Sequence, residues 1–199
     1  MQLPDYYQNA PSITLYDPLA DFLGASQDGL LTYTYADAVQ LAGHSCPTVA
    51  GAYLMAVKAL KHLYGEQTPE RGGVRVYFPD DIDEGVTGVM ANVMTLLLGV
   101  TDESGFKGLA GRFDRRHLLF AGEEFEGDIA FERVDTGERV TVSYNAKIVP
   151  PSAEMMPALQ KAINAPLASP ESREFLVFWH DRVQRIFEHA DDARLITLH

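Results

Sequence analysis

The stretch His44-Ser45-Cys46-Pro47 sets an imidazole two positions before the only thiol in the chain, with a proline directly after it. Proline pushes the preceding residue toward extended backbone, while its own fixed φ and missing N–H suit the first position of a helix. Cys46 is therefore expected at a helix N-cap, where free amides and the positive end of the macrodipole favour thiolate. If the backbone through 44–46 is extended, the His44 and Cys46 side chains leave on the same side. Three chemistries fit this spacing. His44 and Cys46 can be zinc ligands, which requires further donors because zinc takes three or four from the protein. Cys46 can be a nucleophile or redox thiol with His44 as its base. Cys46 can also be a small buried hydrophobe beside a hydrogen-bonded histidine.

Other groups qualify as helpers. The segment PDDIDEG (79–85) holds Asp80, Asp81, Asp83 and Glu84 between a strand end and a helix start. Helix capping explains such carboxylates, and a site role would make Asp81 or Asp83 a third ligand or a general base. Lys107, in the glycine-flanked SGFKGLAG (104–111), lies near Arg112, Arg115 and Arg116. A solvated basic edge is the ordinary reading of this concentration; a mobile loop carrying Lys107 over a small anionic ligand is the functional one. The spacing is not that of a phosphate-binding P-loop. His180, beside Trp179, is expected at a surface or interface. Phe175, Phe178, Trp179, Val183 and Phe187 recur at helical spacing and suit a core or a dimer contact.

The elements that must position these groups follow from local signals. A short helix is expected around Pro18 to Leu23 within an N-terminal arm, 1–34, whose Pro and Gly content argues against much else. Tyr35 to Leu41 reads as a helix ended by Gly43, and Pro47 to Tyr64 as one ended by Gly65. Ala50-Gly51-Ala52 would let another backbone approach closely. GVRVYF (73–78) reads as a strand, 86–99 as a buried helix ending at Gly99, and HLLFAG (117–122) as a strand. Asp135-Thr136-Gly137 is a hairpin turn between two strand patterns. Beyond Pro150-Pro151 the composition is helical, with Ser169 as cap and Pro170 at the first helical position. The order predicts an α+β fold: an antiparallel sheet with packed helices, in a single domain over 35–199.

Composition narrows the function classes. The chain has 199 residues, 46% of them hydrophobic, enough for one sizeable core. Its net charge of −12 opposes binding to nucleic acid. One cysteine excludes an intrachain disulfide, the first thirty residues lack a secretory pattern, and no apolar run reaches membrane-spanning length, so a cytoplasmic protein with no membrane association is expected.

The turn GHSCP (43–47) leading into a small-residue helix resembles the FmdE-like family of formylmethanofuran dehydrogenase proteins, whose motif is His-Gly-His-x-Cys-Pro-Gly. VRVYFPDDID (74–83), a buried helix ending in GVT (99–101), GDIAFERVDTGERVTVSY (127–144) and FLVFWHDRVQRIF (175–187) are similar to that family's strand, turn, helices and hairpin in order and spacing. The resemblance spans roughly residues 35–190. It implies an intertwined homodimer, a metal-containing pocket lined by His44 and Cys46, zinc as the fitting metal, and association with an oxidoreductase complex of molybdenum- or tungsten-dependent one-carbon or redox metabolism. A non-catalytic accessory role is the other one the resemblance allows. Ala42 stands at the family's first His, Thr48 at its Gly, and Asp83 and Val100 near two of its cysteines. A cysteine-rich ribbon carried by some members is absent.

Overall fold

The Asp17-Pro18 pair organises the N-terminal segment of the computed structural model, which describes residues 3–199. Strands β1 (Ile13–Tyr16) and β2 (Leu30–Tyr33) pair antiparallel, and between them lies α1 (Pro18–Leu23). The Asp17 carboxylate caps α1 by accepting from the amides of Leu19 and Ala20. The segment expected to be an arm with one short helix is thus a hairpin as well. Its Leu15, Tyr6 and Tyr7 are buried in the same core as the rest of the chain.

Helix α2 (Tyr35–Ala42) starts at a Thr34/Asp37 capping box and stops at Gly43, whose φ of +73° suits glycine. Helix α3 (Pro47–Tyr64) follows with Cys46 as its N-cap and Gly65 as its stop. Next come β3 (Val74–Tyr77) and α4 (Thr87–Leu98), which ends at a left-handed Gly99. The glycine-flanked segment read as a loop is a hairpin of β4 (Lys107–Leu109) and β5 (Arg112–Asp114). Ala110 and Gly111 both take positive φ between them, the requirement of a tight two-residue turn.

Strands β6 (Leu119–Phe120), β7 (Ile129–Arg133) and β8 (Arg139–Tyr144) precede α5 (Met155–Ala162), α6 (Pro170–Glu188) and β9 (Ile196–Leu198). The main sheet runs β6-β3-β7-β8-β9. All its pairs are antiparallel except β3 with β6, so the expected antiparallel sheet is a mixed one. The fold is α+β. None of the helices in the described residues is long and apolar enough to cross a membrane.

Helix α3 is the hub. It touches β7, β8 and β9 on one side and α2, α4 and α6 on the others, which explains why apolar residues cover almost its whole circumference. Gly51 allows the closest of these contacts, since a Cβ there would land inside contact distance of the Tyr144 ring on β8.

A buried ion cluster closes the opposite end of α4. Asp17 accepts from Arg71 at 3.0 Å and from Arg115 at 2.6 Å. Arg71 also donates to the carbonyls of Leu96 and Leu97, capping α4. Arg115 donates to the Arg71 carbonyl. Burial alone would raise the pKa of Asp17, but the amides of Ala20 and Leu19 and the two guanidiniums outweigh it and hold it below the ordinary 3.8.

This cluster generates a stability prediction. Asp17→Asn keeps the cap oxygen but leaves two guanidiniums without their carboxylate, and urea denaturation should show a loss of about 3 kcal/mol. A carboxyl with a depressed folded pKa contributes fully above its unfolded value and loses that contribution as pH falls through the folded value. Wild-type stability should therefore drop as pH is lowered below about 4, and Asp17→Asn should lack that part of the slope.

Candidate functional site

Three distant segments clamp the His-Ser-Cys-Pro turn at the start of α3. Ser45 is buried, and its hydroxyl lies 2.8 Å from the Tyr35 hydroxyl and 3.4 Å from that of Tyr6. Its carbonyl accepts from the Trp179 indole at 2.7 Å. The Tyr6 hydroxyl continues the chain of bonds to His180 Nδ1 at 3.0 Å. Burial pushes the pKa of both tyrosines far up, with the Ser45 bond pulling in the opposite direction, and burial pushes that of His180 down. The network is thus held neutral: hydroxyls, an indole N–H and an uncharged imidazole. His180, expected at a surface or interface, is half-buried and is also a partner of this network. Tyr144 approaches from β8, its hydroxyl buried without a hydrogen-bond partner among the described residues and its pKa raised chiefly by burial.

Cys46 sits at the N-cap as expected, in extended conformation, and its sulfur accepts from the Val49 amide at 3.4 Å. It is 8% exposed and belongs to the core. His44 is exposed. His44 is thus exposed where Cys46 is buried, and the backbone bends at His44 rather than running extended through 44–46.

The imidazole of His44 is oriented. Its Nδ1 lies 2.9 Å from the Ala42 carbonyl, which can only accept, so Nδ1 carries the proton and Nε2 keeps the lone pair. The ring borders a cavity of about 250 Å3 between α2 and α4, with Leu41, Val89, Asn92 and Val93. A backbone carbonyl fixing one ring nitrogen while the other stays free is the arrangement that orients metal-ligating histidines.

The remaining candidates lie elsewhere. Asp81 and Asp83 are exposed, and the Asp81 carboxylate is turned toward Gly122, after β6. Among the described residues no three His, Cys, Asp or Glu side chains come together to hold a metal ion. The set His44, Cys46, Asp81 and Asp83 is therefore not assembled within one chain. Lys107 is exposed on β4, opposite Asp114. Arg115, expected on a solvated edge, is buried against Asp17, and Arg116 is paired with Asp114.

Sequence reasoning missed Tyr6, Tyr35, Tyr144 and Asn92. Tyr6 and His180 are 174 positions apart, and no periodicity or spacing rule links residues so distant. The aromatic content of the N-terminal segment was the one available signal. Comparison of the chain with protein-family models, with curated proteins and with solved structures yields no match.

The position of Cys46 makes its reactivity measurable. Native protein should react with a small disulfide reagent at least tenfold more slowly than the same chain unfolded in urea, because the sulfur is buried and engaged with an amide. Cys46→Ser keeps a cap acceptor, whereas Cys46→Ala should lower stability by about 1 kcal/mol more than Cys46→Ser in denaturant melts. Rapid labelling of the native thiol would instead favour the nucleophile reading.

Proposed function

We propose that this chain is an FmdE-like metal-binding protein that uses His44 Nε2 as its accessible ligand and zinc as its metal. The carrying observation is the His44 Nδ1 bond to the Ala42 carbonyl, which leaves a lone pair at the rim of the α2/α4 cavity. The resemblance of the GHSCP turn and the segments after it to the FmdE-like family of formylmethanofuran dehydrogenase proteins supports the same reading.

One protomer supplies too few donors. Zinc takes three or four protein ligands, or three and water, and Cys46 faces the core. The reading therefore requires a second copy of the chain to complete the ligand set in a homodimer. Leu41 and Val86, large apolar side chains about half exposed, lie on α2 and at the start of α4, the helices that flank His44, and suit such an interface. When bound, the metal would supply Lewis acidity or a structural link between copies. The chain's own contribution is to orient one imidazole through the Ala42 carbonyl. Association with an oxidoreductase complex belongs to the same proposal.

A second reading, a non-catalytic accessory protein, is favoured by the burial of Cys46 and the hydrogen bonding of Ser45, which make the motif a structural clamp.

Metal analysis by mass spectrometry on untagged protein purified without chelator, combined with light scattering for mass, tests the proposal. The expected result is a dimer with co-purified zinc, with both metal and dimer lost in His44→Ala and after chelation. A metal-free wild type, or a metal content unchanged by His44→Ala, would overturn it in favour of the accessory reading.

A further inference from the structure

A second cavity, of about 340 Å3, opens near the other end of α4, with Arg71, Arg112, Phe113, Arg115, Glu70 and Asp114 among its walls. It shares no residue with the His44 cavity. Arg71 and Arg115 are held in place by Asp17 and by backbone carbonyls. Arg115 is 6% exposed, and its buried Nε, an obligatory donor, has no acceptor among the described residues. Arg112 lies 4.6 Å from the centre of the Phe113 ring and belongs to none of the ion pairs of the described residues.

The carboxylates nearby are mostly committed. Asp17 is shared by two guanidiniums, and Asp114 is held by the Arg116 guanidinium through both oxygens, its pKa pulled down to about 2. Glu70 alone is exposed and unpaired. Counted with Arg116, the partner of Asp114, four guanidiniums (Arg71, Arg112, Arg115 and Arg116) stand against three carboxylates (Asp17, Glu70 and Asp114), leaving one positive charge in excess within a chain of net charge −12.

An apolar surface adjoins the charged one. Phe113 takes a φ of +64°, which a bulky side chain rarely adopts, and its ring packs on that of Phe22 with centroids 5.3 Å apart. Phe22 is 60% exposed.

We propose that this cavity binds a small molecule bearing a phosphate group, with the phosphate between Arg112 and the cavity-lining guanidiniums of Arg71 and Arg115, and a flat organic part against the Phe22–Phe113 pair. Donors arriving from separate residues are matched by the several acceptor oxygens of a phosphate, and fixed guanidiniums lose little freedom on binding it. Glu70, at the rim, disfavours a bare anion and accepts from a hydroxyl of the organic part.

Calorimetric titration of the full chain with phenyl phosphate, inorganic phosphate and benzoate at fixed ionic strength tests this. Phenyl phosphate should bind saturably and more tightly than inorganic phosphate or benzoate. Arg112→Ala should weaken it at least tenfold while circular dichroism and melting stay unchanged. Glu70→Gln should tighten inorganic phosphate several-fold, an opposite effect that does not depend on Arg112→Ala folding. No saturable binding of either phosphate, equal binding to Arg112→Ala with no change in Glu70→Gln, or benzoate binding more tightly than phenyl phosphate would overturn the assignment.

Discussion

Asp17 joins four segments that the chain separates widely. It caps α1, receives Arg71 from the approach to β3 and Arg115 from just beyond β5, and through Arg71 reaches the last carbonyls of α4. The backbone repeats the connection: Tyr16 bonds to Pro69 and Arg71, and Gly72 to Leu98. Desolvated charges are costly unless they are paired and their remaining hydrogen bonds are made, so the cluster fixes the relative position of all four segments. That demand holds the β4–β5 hairpin over the end of α4, and with it the arginine cavity.

The start of α3 is organised on the opposite principle. There Tyr6, Tyr35, Ser45, Trp179 and His180 bond to one another through hydroxyls, an indole N–H, a carbonyl and an imidazole. This network clamps the turn through Ser45. It holds the turn rigid, and the rigid turn presents His44 outward with its tautomer set by Ala42. Residues with the most reactive chemistry thus divide into a buried structural half, Cys46, and an exposed half, His44.

Local rules made most helices legible. Proline and glycine marked both ends of α3, and Gly43 and Gly99 closed α2 and α4, because caps depend on a few neighbouring residues. The Asp135-Thr136-Gly137 turn announced β7 and β8 for the same reason. Strands whose partners lie far off were not legible. β1 and β2 are short and sit among prolines and glycines, β9 has three residues, and the direction of β6 is set by tertiary packing. At the candidate site, the extended run assumed for 44–46 is not present, because the backbone bends at His44. The burial of Arg115 and the bond between Tyr6 and His180 are encoded only in the assembled core.

The Tyr6–His180 bond also has a consequence for synthesis. At a ribosomal rate of about 5–20 residues per second, the 174 positions between the partners correspond to roughly 10–30 s during which Tyr6 has been made and His180 has not. Tyr6 spends that interval without its α6 contact. The last bond of the network around Ser45 therefore closes only after α6 has been made, although Tyr6 can already meet Ser45 by then.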